Sequence, residues 1–227
     1  MGKTQKQIKR RKIIVTIDGP AASGKGTATK LISSKLGFKY LDSGILYRAF
    51  AFFYTKNRNI KKSANMLSEV EFKRGRLLYG GKDITDSLRG EDIGKVSSMI
   101  SKKKEVRELV SEKQREIVRG DNFSWVVDGR DAGSYVFPSA DIKFYLDASI
   151  QERARRRYKE LLQRGKKSKF SEVLSEINIR DKRDKTRKIA PLVIPKDAVY
   201  IDSTEKTPED VSEIIIKHIK NLMNARR

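Results

Sequence analysis

Gly19-Pro20-Ala21-Ala22-Ser23-Gly24-Lys25-Gly26-Thr27 is the stretch on which the fold turns. An apolar, largely β-branched run, Ile13-Ile14-Val15-Thr16-Ile17, leads into it. A helical pattern over about 25–36, stopped by Gly37, leads out of it. Strand, glycine loop and helix in that order make a cradle for a polyphosphate. Gly19 and Gly24 permit turns that align backbone N–H groups, the helix start adds its positive dipole end, and Lys25 adds a full charge. A glycine-rich loop alone could be a tight turn; the flanking elements and the lysine in register favour phosphate. The general pattern Gly-x4-Gly-Lys-Ser/Thr is met at Gly19, Gly24 and Lys25, but Gly26 takes the hydroxyl slot and Thr27 follows it. The Thr27 hydroxyl is a candidate for Mg²⁺ or phosphate, the alternative being a bond within its own helix.

Working outward, strand-like runs recur at 38–41, 125–127, 142–146 and 198–201, with strand 1 at roughly 12–18. Helical patterns fill 45–54, 92–100, 103–119, 149–163, 170–187 and, opened by Pro208, a last segment to about 224. Strands alternating with helices predict an α/β fold with a parallel sheet covered on both faces. Residues 58–92 break the pattern: they are charged, with short alternating runs around Gly80-Gly81, and read as a small inserted subdomain with a β-hairpin. Ligands bind such sheets beyond the carboxyl ends of their strands. Asp18-Gly19, Asp42-Ser43-Gly44, Asp128-Gly129-Arg130-Asp131 and Asp202-Ser203-Thr204 all fall there.

The 227 residues suit one sizeable domain. Lys and Arg number 51 against 29 Asp and Glu, a net charge of +22, which favours polyanionic partners such as nucleotides, nucleic acid or an anionic membrane. Scattered surface lysines are the plainer account of most of it. With no cysteine there is no disulfide framework or thiolate metal site, and the single histidine, His218, reads as a surface residue of the last helix. No apolar run reaches 18 residues, and the basic start lacks the apolar core of a signal peptide. Residues 1–11 are expected to be a disordered basic tail of a cytoplasmic protein.

Three further groups could carry chemistry. Ser43 and Arg48 lie at the start of a helix, where Ser43 could simply cap it and Arg48 pair with a carboxylate, or both could bind a second anion. Asp128-Gly129-Arg130-Asp131 is poor core material; Arg130 could clamp a phosphate or base with Asp131 orienting it, or the two could form a structural pair. Arg180, Asp184 and Arg187, at i, i+4 and i+7, share a helix face, as do Arg153 and Arg157. Cationic segments of this kind close over transferring phosphates. They also suit nucleic acid, but Tyr158 and Phe170 alone interleave the run.

Taken together, these residues resemble the bacterial cytidylate kinases, nucleoside monophosphate kinases of the P-loop class. The resemblance runs from Ile13 to about Lys220. It rests on Ile17-Asp18-Gly19-Pro20 through Thr27, Leu41-Asp42-Ser43-Gly44-Ile45-Leu46-Tyr47-Arg48, Asp128 to Gly133, Val136-Phe137-Pro138, Glu152-Arg153-Ala154, Arg180 to Asp184, Arg187 and Ala190-Pro191-Leu192. It implies one P-loop kinase domain over 12–227, with a monophosphate-binding insert at about 58–95 and a lid at about 153–187. Gly19, Pro20, Ala21, Ala22, Ser23, Gly24, Lys25, Gly26 and Thr27 would bind ATP. Ser43, Tyr47, Arg48, Ser98, Arg107, Gly129, Arg130, Asp131, Arg180, Asp184 and Arg187 would bind CMP. Arg130 and Asp131 would read the cytosine edge, while Asp184, Arg180 and Ser98 would sense the ribose. Lys25, Arg153, Arg157 and Arg187 would act on the transferring phosphate, with Mg²⁺ touching Thr27. Ala132 and Ser134 depart from the Met and Thr frequent in the family.

The expected reaction passes the γ-phosphoryl group of ATP to CMP or dCMP, in a monomer with no membrane or specific nucleic-acid partner. A kinase for UMP or a small metabolite is the alternative within enzymes. A basic nucleic-acid-binding P-loop protein is the alternative outside them, and it leaves Asp128, Asp131 and Asp184 without a purpose.

Overall fold

The computed structural model describes residues 11–73 and 75–226. Nearly all of the expected basic tail, residues 1–10, lies outside them. Five strands, β1 (Ile14–Asp18), β2 (Lys39–Asp42), β6 (Trp125–Gly129), β7 (Ile142–Asp147) and β8 (Val199–Asp202), form a parallel sheet in the order β2-β6-β1-β7-β8. The central strands are buried along most of their length, which is why they read as continuous apolar runs rather than alternating ones. Register places Asp18 opposite Gly129, and Asp42 opposite Asp128, so the charged motifs line one edge.

One face of the sheet is covered by α1 (Lys25–Leu36) and α8 (Pro208–Ala225), where Ala28, Ile32, Val211, Ile215 and Ile219 close a core with Val15, Ile17 and Phe144. α1 ends at Gly37, whose φ of 67° supplies the left-handed cap. The other face packs against α2 (Ser43–Asn57) and α5 (Lys104–Arg119), around Phe50, Phe53, Val106, Val110 and Trp125. The cap of α2 is Asp42, whose carboxylate accepts from Gly44 N at 2.8 Å. Ser43 is therefore the first helical residue and not the cap, because an acceptor one residue earlier already satisfies the free amide.

The stretch after α2 holds a three-stranded antiparallel sheet, β3 (Glu71–Lys73), β4 (Arg76–Tyr79) and β5 (Lys82–Asp83). Gly80 and Gly81 turn the expected hairpin, with φ of 55° and 75°. The same stretch also holds a helix that the sequence reading did not assign, α3 (Ile60–Ser68), capped by the Asn59 side chain. Ile60, Ser63, Ala64 and Leu67 give it one inward face at i, i+3, i+4 and i+7, with Ser63 and Leu67 buried and Ile60, Ala64 and Met66 packed against the core. A 3-10 turn (Asp86–Arg89) leads into α4 (Glu91–Ile100). Beyond β7, α6 (Ile150–Gln163) and α7 (Phe170–Thr186) form a hairpin with a small core of Ala154, Val173 and Ile177. Among the described residues, no helix is long and apolar enough to cross a membrane.

Candidate active site

The glycine loop leaves β1 under close backbone packing. A Cβ on Gly19, whose φ is 151°, would stand 2.0 Å from the carbonyl oxygen of Leu146, so only glycine fits. Gly24, at φ 93°, precedes the first turn of α1. Lys25 is buried and folds back on the loop, its Nζ donating to Pro20 O at 2.6 Å and to Ser23 Oγ at 3.2 Å. Burial, with Arg130 nearby, pulls the ammonium well below its ordinary range, and Asp128 opposes that pull. An incoming polyphosphate supplies the negative charge that this lysine lacks. Thr27 is exposed on the first turn, open to a ligand.

Arg156 and Ser203, neither singled out as a ligand, brace this loop. Arg156 donates to Ser203 Oγ at 3.1 Å and approaches the Gly24 backbone, and Ser203 Oγ contacts Ser23 O at 3.1 Å. They are distant in sequence from the loop, and the charge run 152–157 did not distinguish Arg156 from its neighbours. The same run separates in space. Arg153 is buried and donates to Ala148 O at 2.9 Å, Ala21 O at 3.2 Å and Asp181 Oδ2 at 2.5 Å. Arg157 is at the surface, paired with Glu160 at 2.7 Å. The two arginines thus do not act as one face: Arg153 faces the hairpin core and the loop, Arg157 faces out.

Asp128 ends β6 behind the loop. A Cβ on Gly26 would lie 3.7 Å from its Oδ2. Burial first, then Asp42, raises this carboxyl to about 7. Asp128 stands in a motif the sequence singled out, yet it was not among the expected ligands. One buried carboxylate and the exposed Thr27 hydroxyl fit a divalent cation carried mainly by phosphate oxygens and water. A cage of protein carboxylates would need more: among the described residues no three His, Asp or Glu side chains gather.

The second half of the site is a lattice of alternating charges. Asp131 pairs with Arg107 in a fully buried contact and with Arg187 Nη2 at 3.3 Å. Arg130 Nε donates to Asp184 Oδ2 at 3.2 Å, and Arg180 and Arg187 lie 3.9 and 4.0 Å from the same carboxylate. Among the described residues Arg130 and Asp131 do not pair with each other, so neighbours in sequence look to different partners. Crowding by Arg130 pushes the Arg180 guanidinium down to about 10. Arg107 also stacks over the Tyr47 ring, 5.3 Å from its centre. Ser43 touches Gly129, where a Cβ would stand 2.7 Å from Ser43 Oγ. Arg48 is turned to the insert instead of a carboxylate, donating to Leu88 O at 3.0 Å and Gly90 O at 3.2 Å.

Several of these groups carry unused hydrogen-bonding capacity. Tyr47 Oη, Ser98 Oγ and Arg107 Nε are buried without a hydrogen-bond partner. Unpaired buried donors are costly and are expected where a ligand completes them. Tyr47, Arg107 and Arg187 cluster around Asp131.

Comparison with known proteins shows the family. A family profile described as Cytidylate kinase covers residues 15–221. A "Cytidylate kinase" of Thermodesulfovibrio yellowstonii is 42% identical over 219 residues, 92% of this chain and 98% of that protein. One of Thermosipho africanus is 43% identical over 89% of this chain and 92% of its own length, and one of Clostridioides difficile 39% over 91% and 98%. A phosphate loop and an arginine–aspartate lattice on one sheet edge, together with sequence likeness along nearly the full length of such relatives, have one source: the chain belongs to the cytidylate kinase family.

Proposed function

We propose that this protein transfers the γ-phosphoryl group of ATP to CMP or dCMP, releasing ADP and CDP or dCDP. The observation that carries the reading is the charge lattice of Arg107, Asp131, Arg187, Arg130 and Asp184, on the same sheet edge as the Lys25 loop. A loop alone holds a donor; the lattice adds paired cations for an acceptor phosphate and carboxylates for base and sugar.

In this reading the loop 19–27 holds the donor phosphates through its amides and Lys25. Asp131 and Arg130 read the cytosine edge beside Ser43, Tyr47 and Gly129. Arg48, Arg107 and Arg130 serve the acceptor phosphate region, Asp184, Arg180 and Ser98 the ribose, and Arg187 the transferring phosphate. An oxygen of the acceptor's 5′-phosphate attacks the γ-phosphorus in line, and the bond to the β,γ-bridging oxygen breaks, leaving ADP. The acceptor is already anionic, so no covalent enzyme intermediate is required; positioning and charge stabilisation do the catalysis. Lys25 moves from Pro20 O and Ser23 Oγ to the donor phosphates. Arg157 swings in with the hairpin, while Arg153 keeps that hairpin tied to the loop at Ala21. Closure excludes water, which would otherwise take the phosphoryl group. Thr27 and Asp128 would be the chain's contributions to a Mg²⁺ ion held mainly by phosphate oxygens and water, and the ion would supply charge neutralisation of the donor phosphates.

The chain is read as one kinase domain over 12–227, with the insert at about 58–95 and the lid at about 153–187, acting as a cytoplasmic monomer. The test is ADP release with ATP and Mg²⁺ across CMP, dCMP, UMP, AMP and GMP. Turnover with CMP and dCMP and little with the purines is the expected result; no acceptor-dependent turnover would overturn the reading.

A further inference from the structure

Asp18 is the last residue of β1, directly before the donor loop, and it is fully buried. Its Oδ1 accepts from Ala132 N and its Oδ2 from Gly133 N, each at 2.7 Å. These amides immediately follow Asp131, and they open a single π-turn over Ala132–Val136. The Asp131 carbonyl closes the same turn, accepting from Tyr135 N at 2.9 Å and Val136 N at 3.1 Å. Gly133 is pressed against β1: a Cβ there would stand 2.6 Å from Thr16 Oγ1 and 3.3 Å from Asp18 Oδ2. The backbone on the far side of Asp131 is thus clamped to β1 by one carboxylate, while β6 pairing fixes Gly129 opposite Asp18 on the near side.

Burying a carboxylate away from water is expensive even with two amides to solvate it. Burial lifts Asp18 to about 6, against the pull of the Gly133 and Ala132 amides; Asp131 adds to the rise and Lys25 opposes it. We propose that Asp18 is a positioning residue for the acceptor base: by fixing the Ala132 and Gly133 amides it sets where Asp131 presents its carboxylate. Asparagine cannot replace it, because one of its two polar atoms is an N–H facing another N–H.

This inference rests on the acceptor-site reading of Asp131, so the experiment includes a variant of each. Steady-state kinetics are measured for Asp18→Asn, Gly133→Ala and Asp131→Asn. Gly133→Ala displaces the same turn from the opposite side and serves if Asp18→Asn fails to fold. Asp18→Asn and Gly133→Ala should each raise the KM for CMP about tenfold or more, the size of a weakened charged hydrogen bond. The KM for ATP should stay within about twofold, and the preference for CMP over UMP should narrow. A merely structural role would lower the melting temperature and the active fraction and leave both KM values alone. If Asp131→Asn raises the KM for CMP and neither of the other variants does, the positioning role is overturned and the acceptor reading stands. If Asp131→Asn leaves it unchanged, the acceptor reading falls, and this inference with it.

Discussion

Arg130 Nε donates to Asp184 Oδ2 across 3.2 Å, joining the end of β6 to the second helix of the lid hairpin, 54 residues later in the chain. In the proposed reading, acceptor recognition and the position of this hairpin share one contact. Arg130→Ala should raise the KM for CMP about ten- to a hundredfold and change the KM for ATP little, because the donor loop makes its contacts elsewhere. Initial rates with each nucleotide varied in turn check this. Equal effects on both would remove Arg130 from the acceptor site.

Lys25 is the one full charge inside the donor loop. Lys25→Ala should lower kcat on the order of 10²–10³-fold, the loss typical of a single preorganised stabiliser. Near-normal turnover in the variant would take the lysine out of the transition state.

Asp128 predicts a pH dependence of stability. Its carboxyl titrates at about 7 in the folded chain, above its ordinary value of 3.8. A raised carboxyl binds its proton more tightly folded than unfolded, so its contribution is full below about pH 4 and is lost as pH rises through about 7. Asp128→Asn removes that loss. The variant should melt several degrees above the parent at pH 8, the gap closing toward pH 4, while its kinase activity falls. A variant that melts lower at pH 8 would contradict the desolvation argument.

Arg153 and Asp181 are both buried and 2.5 Å apart, tying α6 to α7. Asp181→Ala leaves the buried Arg153 guanidinium with Asp147 at 3.9 Å as its nearest remaining carboxylate and should cost about 3 kcal/mol in urea unfolding. Replacing both residues by apolar ones of similar size should recover most of that, because the cost comes from the unpaired charge. A double variant as unstable as the single one would assign the loss to packing instead.

How much of this could be read beforehand depends on the range of the forces. The Gly80-Gly81 hairpin was legible because positive φ at both residues is a local demand that glycine meets. α1 was legible to within a residue, since its periodicity and its Gly37 stop lie within a few turns. α3 was not, because its face of Ile60, Ala64 and Leu67 spans only nine residues beside a charged, hairpin-like stretch. Asp42, not Ser43, caps α2, a choice between two adequate acceptors one residue apart that the backbone path decides.

The phosphate loop and the family were determined by the sequence itself. Backbone freedom, helix dipole and a lysine in register act within ten residues of each other, and they work wherever the chain places them. The pairing of charges was decided only by the tertiary structure. Asp131 turns from adjacent Arg130 to Arg107 and Arg187, Arg153 pairs with Asp181 while holding Ala21 O of the loop, and Asp18 reaches across to the Ala132 and Gly133 amides. Such choices follow distance and desolvation in space, and in a chain with 51 cations the sequence offers each carboxylate too many partners to choose from.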